Sequence, residues 1–199
     1  MANGRLRGCS VYLVVVGLLL AVQACAREPS YATPVRDATG RLRCPSHGFV
    51  RAWAPESRPP TLEHSEYRGV ILPESAAVPM LCQCSRQTLG LGDSYWTPTP
   101  SQIAELEARL PGYLLDNPPK RQPDFWQRYR PRMFLRQYLG VVRAGRARIA
   151  VKFELLSGEV ADFSQFGVGT ICDGGPRHFG VEYDMGDENF VLISYNGAG

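Results

Sequence analysis

The stretch MFLRQYLGVVRAGRARIAVKFEL, residues 133–155, decides the fold of this chain. Ahead of it apolar residues recur at helical spacing, whereas inside it they alternate with a period near two, as on a strand whose side chains point to opposite faces. Two such runs, Met133–Val142 and Ala147–Leu155, flank Ala144-Gly145, which predicts a hairpin closed by a tight turn. With a two-residue loop, Tyr138, Gly140 and Val142 share a face with Ala147, Ile149 and Val151, and Arg148 and Lys152 point away. Another loop length exchanges the faces, because a one-residue slip flips every side chain.

Working outward, Gly180–Tyr183 and Phe190–Tyr195 predict a second hairpin around the loop Asp184–Asn189. Upstream, Thr99 can cap a helix, Pro100 suits its first position, and Gln102 completes a capping box. Ile103, Leu106 and Leu110 then form one apolar stripe, and Pro111 is expected to end or kink the helix. Asn117–Pro123 reads as linker and Asp124–Tyr129 as a short turn carrying Phe125, Trp126 and Tyr129. The expected architecture is an α+β domain over residues 96–199, with one main helix packed on a four-stranded antiparallel sheet of two hairpins.

Proline marks off the rest. Fifteen of the 16 prolines lie at or before Pro131, and breakers interrupt every candidate element of residues 25–95. That segment is expected to be an irregular arm with two short strands, Tyr67–Leu72 and Pro79–Cys84.

Residues 1–24 have the form of an export signal: basic Arg5 and Arg7, an apolar run from Val11 to Val22, then a small residue before Cys25. Twelve apolar residues fall short of the about 20 that span a bilayer. The Val22-Gln23-Ala24-Cys25 junction resembles the lipid-attachment site of bacterial lipoproteins, with Cys25 acylated after cleavage. Gln23 departs from the small or hydroxylic residue usual there, and plain secretion is the alternative. Ala26, with no aspartate after the cysteine, resembles the sorting pattern for the outer membrane, facing the periplasm.

In an oxidising compartment Cys44, Cys82, Cys84 and Cys172 are expected to form two disulfides. Three connectivities exist. A Cys82–Cys84 bridge needs a strained ring, so one of that pair is expected on Cys44 and the other on Cys172, stapling the arm to the domain. Cys-x-Cys with one distant cysteine on either side is poor zinc spacing.

Loss of Arg5 and Arg7 with the leader leaves 20 basic against 19 acidic side chains, so net charge selects no partner. Between Lys120 and Lys152, however, ten basic residues face only Asp124, while beyond Phe153 eight acids face only Arg177. Pairing across strands is one explanation. The other is a recognition surface formed by Arg128, Arg130 and Arg132 with Trp126 and Tyr129, the residue types of interface hot spots. An export signal argues against nucleic acid as the partner.

Enzyme readings are weaker. Gly92-Asp93-Ser94 resembles the nucleophile block of GDS-type hydrolases, but the chain is too short for their sheet and has no Asp-x-x-His. Cys172-Asp173-Gly174-Gly175 with His178 offers a loop in which Asp173 orients a histidine base, without a local nucleophile. Glu182 and Asp184 are further carboxylates available to an enzyme. Asp184, Asp187, Glu188 and Asn189 crowd oxygens into one loop without the pattern of a calcium hand. His47 and His64 sit among prolines. No metal and no cofactor are expected.

From Trp96 onward the order of features resembles a group of uncharacterised bacterial exported proteins. The resembling residues are Trp96-Thr97-Pro98 leading into the helix of Ile103, Leu106, Leu110 and Leu114; Arg136-Gln137-Tyr138 with Gly140; and Cys172-Asp173-Gly174-Gly175, Phe179-Gly180-Val181-Glu182-Tyr183-Asp184, Phe190 and Asn196-Gly197. The arm lies outside the match, and no activity is implied by it. The combined expectation is a membrane-anchored periplasmic protein acting by protein–protein recognition, as an inhibitor, an immunity factor or an envelope accessory. A small periplasmic hydrolase using Asp173 and His178, and a purely structural envelope lipoprotein, are the alternatives.

Overall fold

A computed structural model of the chain describes residues 34–40, 42–44, 59–83, 90–156, 167–168, 171 and 173–197. The leader, Cys25, His47, Cys84 and Cys172 lie outside the described residues. In chain order the elements are β1 (Val35–Arg36), β2 (Leu42–Arg43), β3 (Thr61–Glu63), β4 (Arg68–Ile71), α1 (Ala77–Leu81), β5 (Ser94–Trp96), α2 (Pro100–Asp116), α3 (Phe125–Arg128), β6 (Phe134–Arg143), β7 (Arg146–Leu155), β8 (His178–Asp184) and β9 (Asn189–Tyr195).

The hairpin of β6 and β7 forms as the sequence predicts. Arg143 faces Arg146, so the loop is the two residues Ala144 and Gly145, at φ 50° and 76°. Positive φ at both central positions is the I′ geometry whose twist matches the flanking strands. Tyr138 is opposite Val151, Gly140 opposite Ile149 and Val142 opposite Ala147. β8 and β9 follow as antiparallel neighbours, with a bulge at Glu182/Tyr183.

The sheet corrects the expectation of four antiparallel strands. It has seven, in the order β3-β4-β6-β7-β8-β9, with β5 also on β6, and it is mixed. β4 lies parallel to Leu135–Tyr138, and β5 lies antiparallel to Gly140–Val142, so two short strands divide one edge of β6. The cause is readable in β6 itself, whose first eight residues are all buried. A strand buried on both faces must have neighbours on both edges and cover on both sides, and residues before Trp96 provide them.

One face packs on α2. Ile103, Leu106, Leu110 and Leu114 meet Phe134, Tyr138, Ile149, Val151, Phe153, Phe179, Val181 and Tyr183, with Phe125 and Trp126 of α3 closing one end. Phe153 and Phe179 stack at 4.2 Å across β7 and β8. The opposite face of β4 and β6 presents Val70, Leu135, Leu139 and Val141 to Ala76, Ala77, Met80 and Leu81 of α1 and the turn before it.

The capping box of α2 is present: Gln102 Oε1 accepts from the Thr99 backbone N–H at 2.9 Å, and Thr99 Oγ1 accepts from the Gln102 N–H at 3.4 Å. Pro111 does not end the helix, which continues to Asp116. An internal proline costs about 3 kcal/mol. Burial of Leu114, which contributes roughly 1.5–3 kcal/mol, and the stack of Tyr113 on Phe190 at 4.4 Å offset it.

Pro79–Cys84 is not a strand where the structure describes it. Ala77–Leu81 is helical because Pro79 falls in the first turn, where no intrahelical bond needs its N–H, and because Ala76, Ala77, Met80 and Leu81 are buried at helical spacing. Cys44 is bonded to Cys82, which ties the small β1–β2 sheet to α1. The expected partner disulfide of Cys84 and Cys172 lies outside the described residues.

Gly140 lies under the Trp96 indole: a Cβ there would fall 2.4 Å from Trp96 Cδ2 and from the Trp96 carbonyl oxygen. Gly140→Ala is expected to lower stability by about 1–3 kcal/mol through overpacking. Gly112, a helix residue with open space around it, gives the opposite sign, and Gly112→Ala is expected to add about 0.5–1 kcal/mol. Urea unfolding of the two variants checks both.

Candidate functional site

The charges of the long strands are neutralised inside the molecule. On the sheet face away from α2, Arg143 makes a two-pronged contact with Glu182, Nη2 to Oε1 at 2.8 Å and Nε to Oε2 at 3.1 Å. Arg146 does the same to Asp184 at 2.8 and 2.9 Å, and Arg148 Nε reaches Asp184 Oδ2 at 3.2 Å. Arg146 also pairs with Asp187, and buried Lys152 with Glu154. Part of the segregation of basic and acidic stretches is thus pairing of Arg143, Arg146 and Arg148 on β6 and β7 with the hairpin of β8 and β9.

Asp184 accepts further from the backbone N–H groups of Gly186 and Asp187, at 3.0 and 3.2 Å. Its oxygens are committed to holding the turn, not to an ion. Among the described residues no three His, Cys, Asp or Glu side chains gather where a metal could sit. No described helix is long and apolar enough to cross a membrane.

The other enzyme candidates have structural partners. Ser94 is the exposed first residue of β5, and Asp93 accepts the Ala144 N–H at 2.8 Å, fastening β5 to the β6–β7 turn. Asp173 sits at φ 59°, and a Cβ on Gly174 would fall 2.3 Å from His178 Cδ2, so the imidazole packs against the glycine backbone.

The residues expected to form a recognition surface divide. Trp126, 8% exposed, belongs to the core, edge-on to Phe134 and Phe179. Tyr129 packs at a tilt against Phe125, and its hydroxyl accepts from Arg177 Nη2 at 3.0 Å. Arg128 is exposed and pairs with Asp124 at 2.6 Å. Arg130 and Arg132 are exposed and have no carboxylate partner among the described residues.

These last two line a cleft of about 640 Å³ between the middle of α2 and the turn joining β3 to β4. Ala104, Ala108 and Pro111 form its helix wall, His64, Glu66 and Tyr67 the opposite side, and Glu107 and Arg136 its floor. His64 stacks on Tyr67 at 4.8 Å, and its Nδ1 accepts the Glu66 N–H at 3.2 Å. Arg136 is 1% exposed; its Nε lies 2.8 Å from Glu107 Oε1, though not aligned for a hydrogen bond, and its Nη1 donates to the Phe134 carbonyl at 3.1 Å. The Tyr138 hydroxyl donates to the same Glu107 oxygen at 2.7 Å. Burial raises the Glu107 carboxyl above its usual range against the pull of Arg136, and burial, reinforced by Glu107, puts Tyr138 well above the ordinary phenol value.

Sequence reasoning missed Glu107, Arg136, Tyr67 and His64 as one site. One signal was readable: Glu107 stands inside the apolar stripe of Ile103, Leu106 and Leu110, where a charge requires a buried partner. A second cleft, of about 460 Å³, is lined by Arg36, Arg43 and Arg143. There each guanidinium is engaged, with the Gly40 carbonyl, Asp37 and Glu182 respectively.

No family model, no curated protein and no solved structure matches this chain.

The hydrogen bonds of Arg146, followed by those from the turn backbone and Arg148 against the opposing effect of burial, hold the Asp184 carboxyl far below its usual range. A depressed folded-state value means stability present above the unfolded value near 3.9 and lost as pH falls below it. Asp184→Asn is expected to cost about 2–3 kcal/mol at pH 7 and to flatten the acid limb of a stability-versus-pH curve below about pH 4. Denaturant titrations from pH 2 to 7 measure both effects.

Proposed function

We propose that this chain is a lipid-anchored protein of the bacterial cell envelope that acts by binding another protein, as an inhibitor, an immunity factor or an envelope assembly accessory. Acylation at Cys25 holds it at the membrane, most simply the periplasmic face of the outer membrane, and the domain beyond Pro34 does the recognition.

The observation that carries this reading is the state of Arg130 and Arg132. Arg143, Arg146 and Arg148 of the sheet are neutralised by their neighbours, whereas these two stand exposed on the rim of a cleft with no carboxylate partner among the described residues. Guanidiniums left in water beside a preformed concavity contribute little to the fold, since exposed charges are worth little to stability. They suit a complementary surface, where they steer encounter and fix register.

Two measurements test the proposal. Cys25→Ser is expected to move the chain from the membrane fraction to the soluble fraction of the envelope, and retention in the membrane counts against the anchor. Detergent-solubilised wild-type protein is expected to retain a stoichiometric partner that the Arg128→Ser/Arg130→Ser/Arg132→Ser variant loses. A wild-type protein that stays monomeric and partnerless in extracts of its own host sinks the reading.

A further inference from the structure

We infer that the cleft beside α2 is a carboxylate pocket that receives one aspartate or glutamate side chain of the partner protein, held between Arg136 on the floor and Arg130 and Arg132 on the rim. The inference rests on the reading of this chain as a protein-recognition module and names the chemistry recognised.

The floor is built before any ligand arrives. The Arg136 guanidinium lies over two aromatic rings, 5.7 Å from the Tyr67 centroid and 5.5 Å from that of Phe153, which help to hold it in place. Nε is placed against Glu107 and Nη1 is spent on the Phe134 carbonyl, while Nη2 makes no hydrogen bond to a described residue. A guanidinium presents donors in a rigid fork that matches a carboxylate. One that is nearly buried yet lines an open cleft with a donor in hand is a receptor for an acceptor group.

Charge sets the size of that group. Three arginines, Arg130, Arg132 and Arg136, face two carboxylates, Glu66 and Glu107, across the cleft, an excess of one guanidinium. A single carboxylate balances it. A phosphate dianion overshoots, and it must approach the Glu107 carboxylate that shares the floor. The helix wall points the same way, because Ala104, Ala108 and Pro111 with Pro131 form an apolar surface. Such a wall accepts the side chain flanking an acidic residue in a peptide, and gives nothing to a free inorganic anion.

The test is calorimetric titration of the mature chain, in detergent, with acetylated and amidated peptides of the form Gly-Leu-Asp-Leu-Gly or Gly-Leu-Glu-Leu-Gly and their Asn and Gln counterparts. The acidic peptides are expected to bind at least ten-fold more tightly than the amide peptides. Arg130→Ser/Arg132→Ser, on the exposed rim, is expected to weaken the acidic peptides about ten-fold with an unchanged melting temperature, and Arg136→Lys to weaken them although the charge is kept. Equal affinity for acidic and amide peptides overturns the inference. So does tighter binding of inorganic phosphate, or recruitment to phosphatidylglycerol vesicles by a rim that ignores the peptides. If a stoichiometric partner is captured but is neither displaced by the acidic peptides nor lost in Arg130→Ser/Arg132→Ser, protein recognition stands and the carboxylate pocket falls. Absence of any partner removes the recognition reading itself.

Discussion

The structure depends on the burial of β6 from both sides. Phe134, Tyr138 and their neighbours press on α2, while Leu135, Leu139 and Val141 press on α1 and its preceding turn. Neither helix has a core without this strand, and neither edge of the strand can be left to water. β7 occupies one edge over its whole length, and β4 and β5 share the other. The glycine at position 140, opposite Trp96, is where the second of those short strands is admitted. The layers thus follow from one segment whose first eight residues are all buried.

A second constraint is electrostatic. Buried ion pairs are weak contributors to stability, because desolvation offsets most of the attraction, yet breaking one is costly. Arg143 with Glu182 and Arg148 with Asp184 join β6 and β7 to β8, so a slipped register would leave carboxylates under the sheet without partners. On the helix side, Arg136, Glu107 and Tyr138 perform the same role between β6 and α2, and they also furnish the base of the cleft. One set of polar contacts therefore selects the fold, and part of that set remains accessible from outside.

How much of this was legible follows from how local each signal is. The capping box at Thr99, the two-residue turn at Ala144-Gly145 and the alternation through both hairpins are written in adjacent residues, and each appears as read. The strands of β3, β4 and β5 are three or four residues long. Nothing in Ser94-Tyr95-Trp96 announces a strand until β6 is there to pair with it. Pro79 misled because a proline next to short apolar residues reads alike in a broken strand and in the first turn of a helix. Of the candidate site, the exposed arginines were legible as an unusual charge run, whereas the floor joins residues 67, 107 and 136, which only the packing of α2 on the sheet brings together. Trp126 shows the converse: an aromatic beside arginines has the composition of an interface, yet its ring packs edge-on against both Phe134 and Phe179.

The bond between Cys44 and Cys82 has a mechanical consequence for the small sheet of β1 and β2. Those strands pair only at Val35 with Arg43 and Arg36 with Leu42, and a two-stranded hairpin by itself is at best marginally stable in water. The bridge fixes the end of that hairpin to the end of α1, with the two Cα atoms 5.3 Å apart. Oxidation therefore gives the β1–β2 hairpin a fixed seat beside α1, so that the redox state of one bond sets how firmly a two-stranded sheet holds to the seven-stranded one.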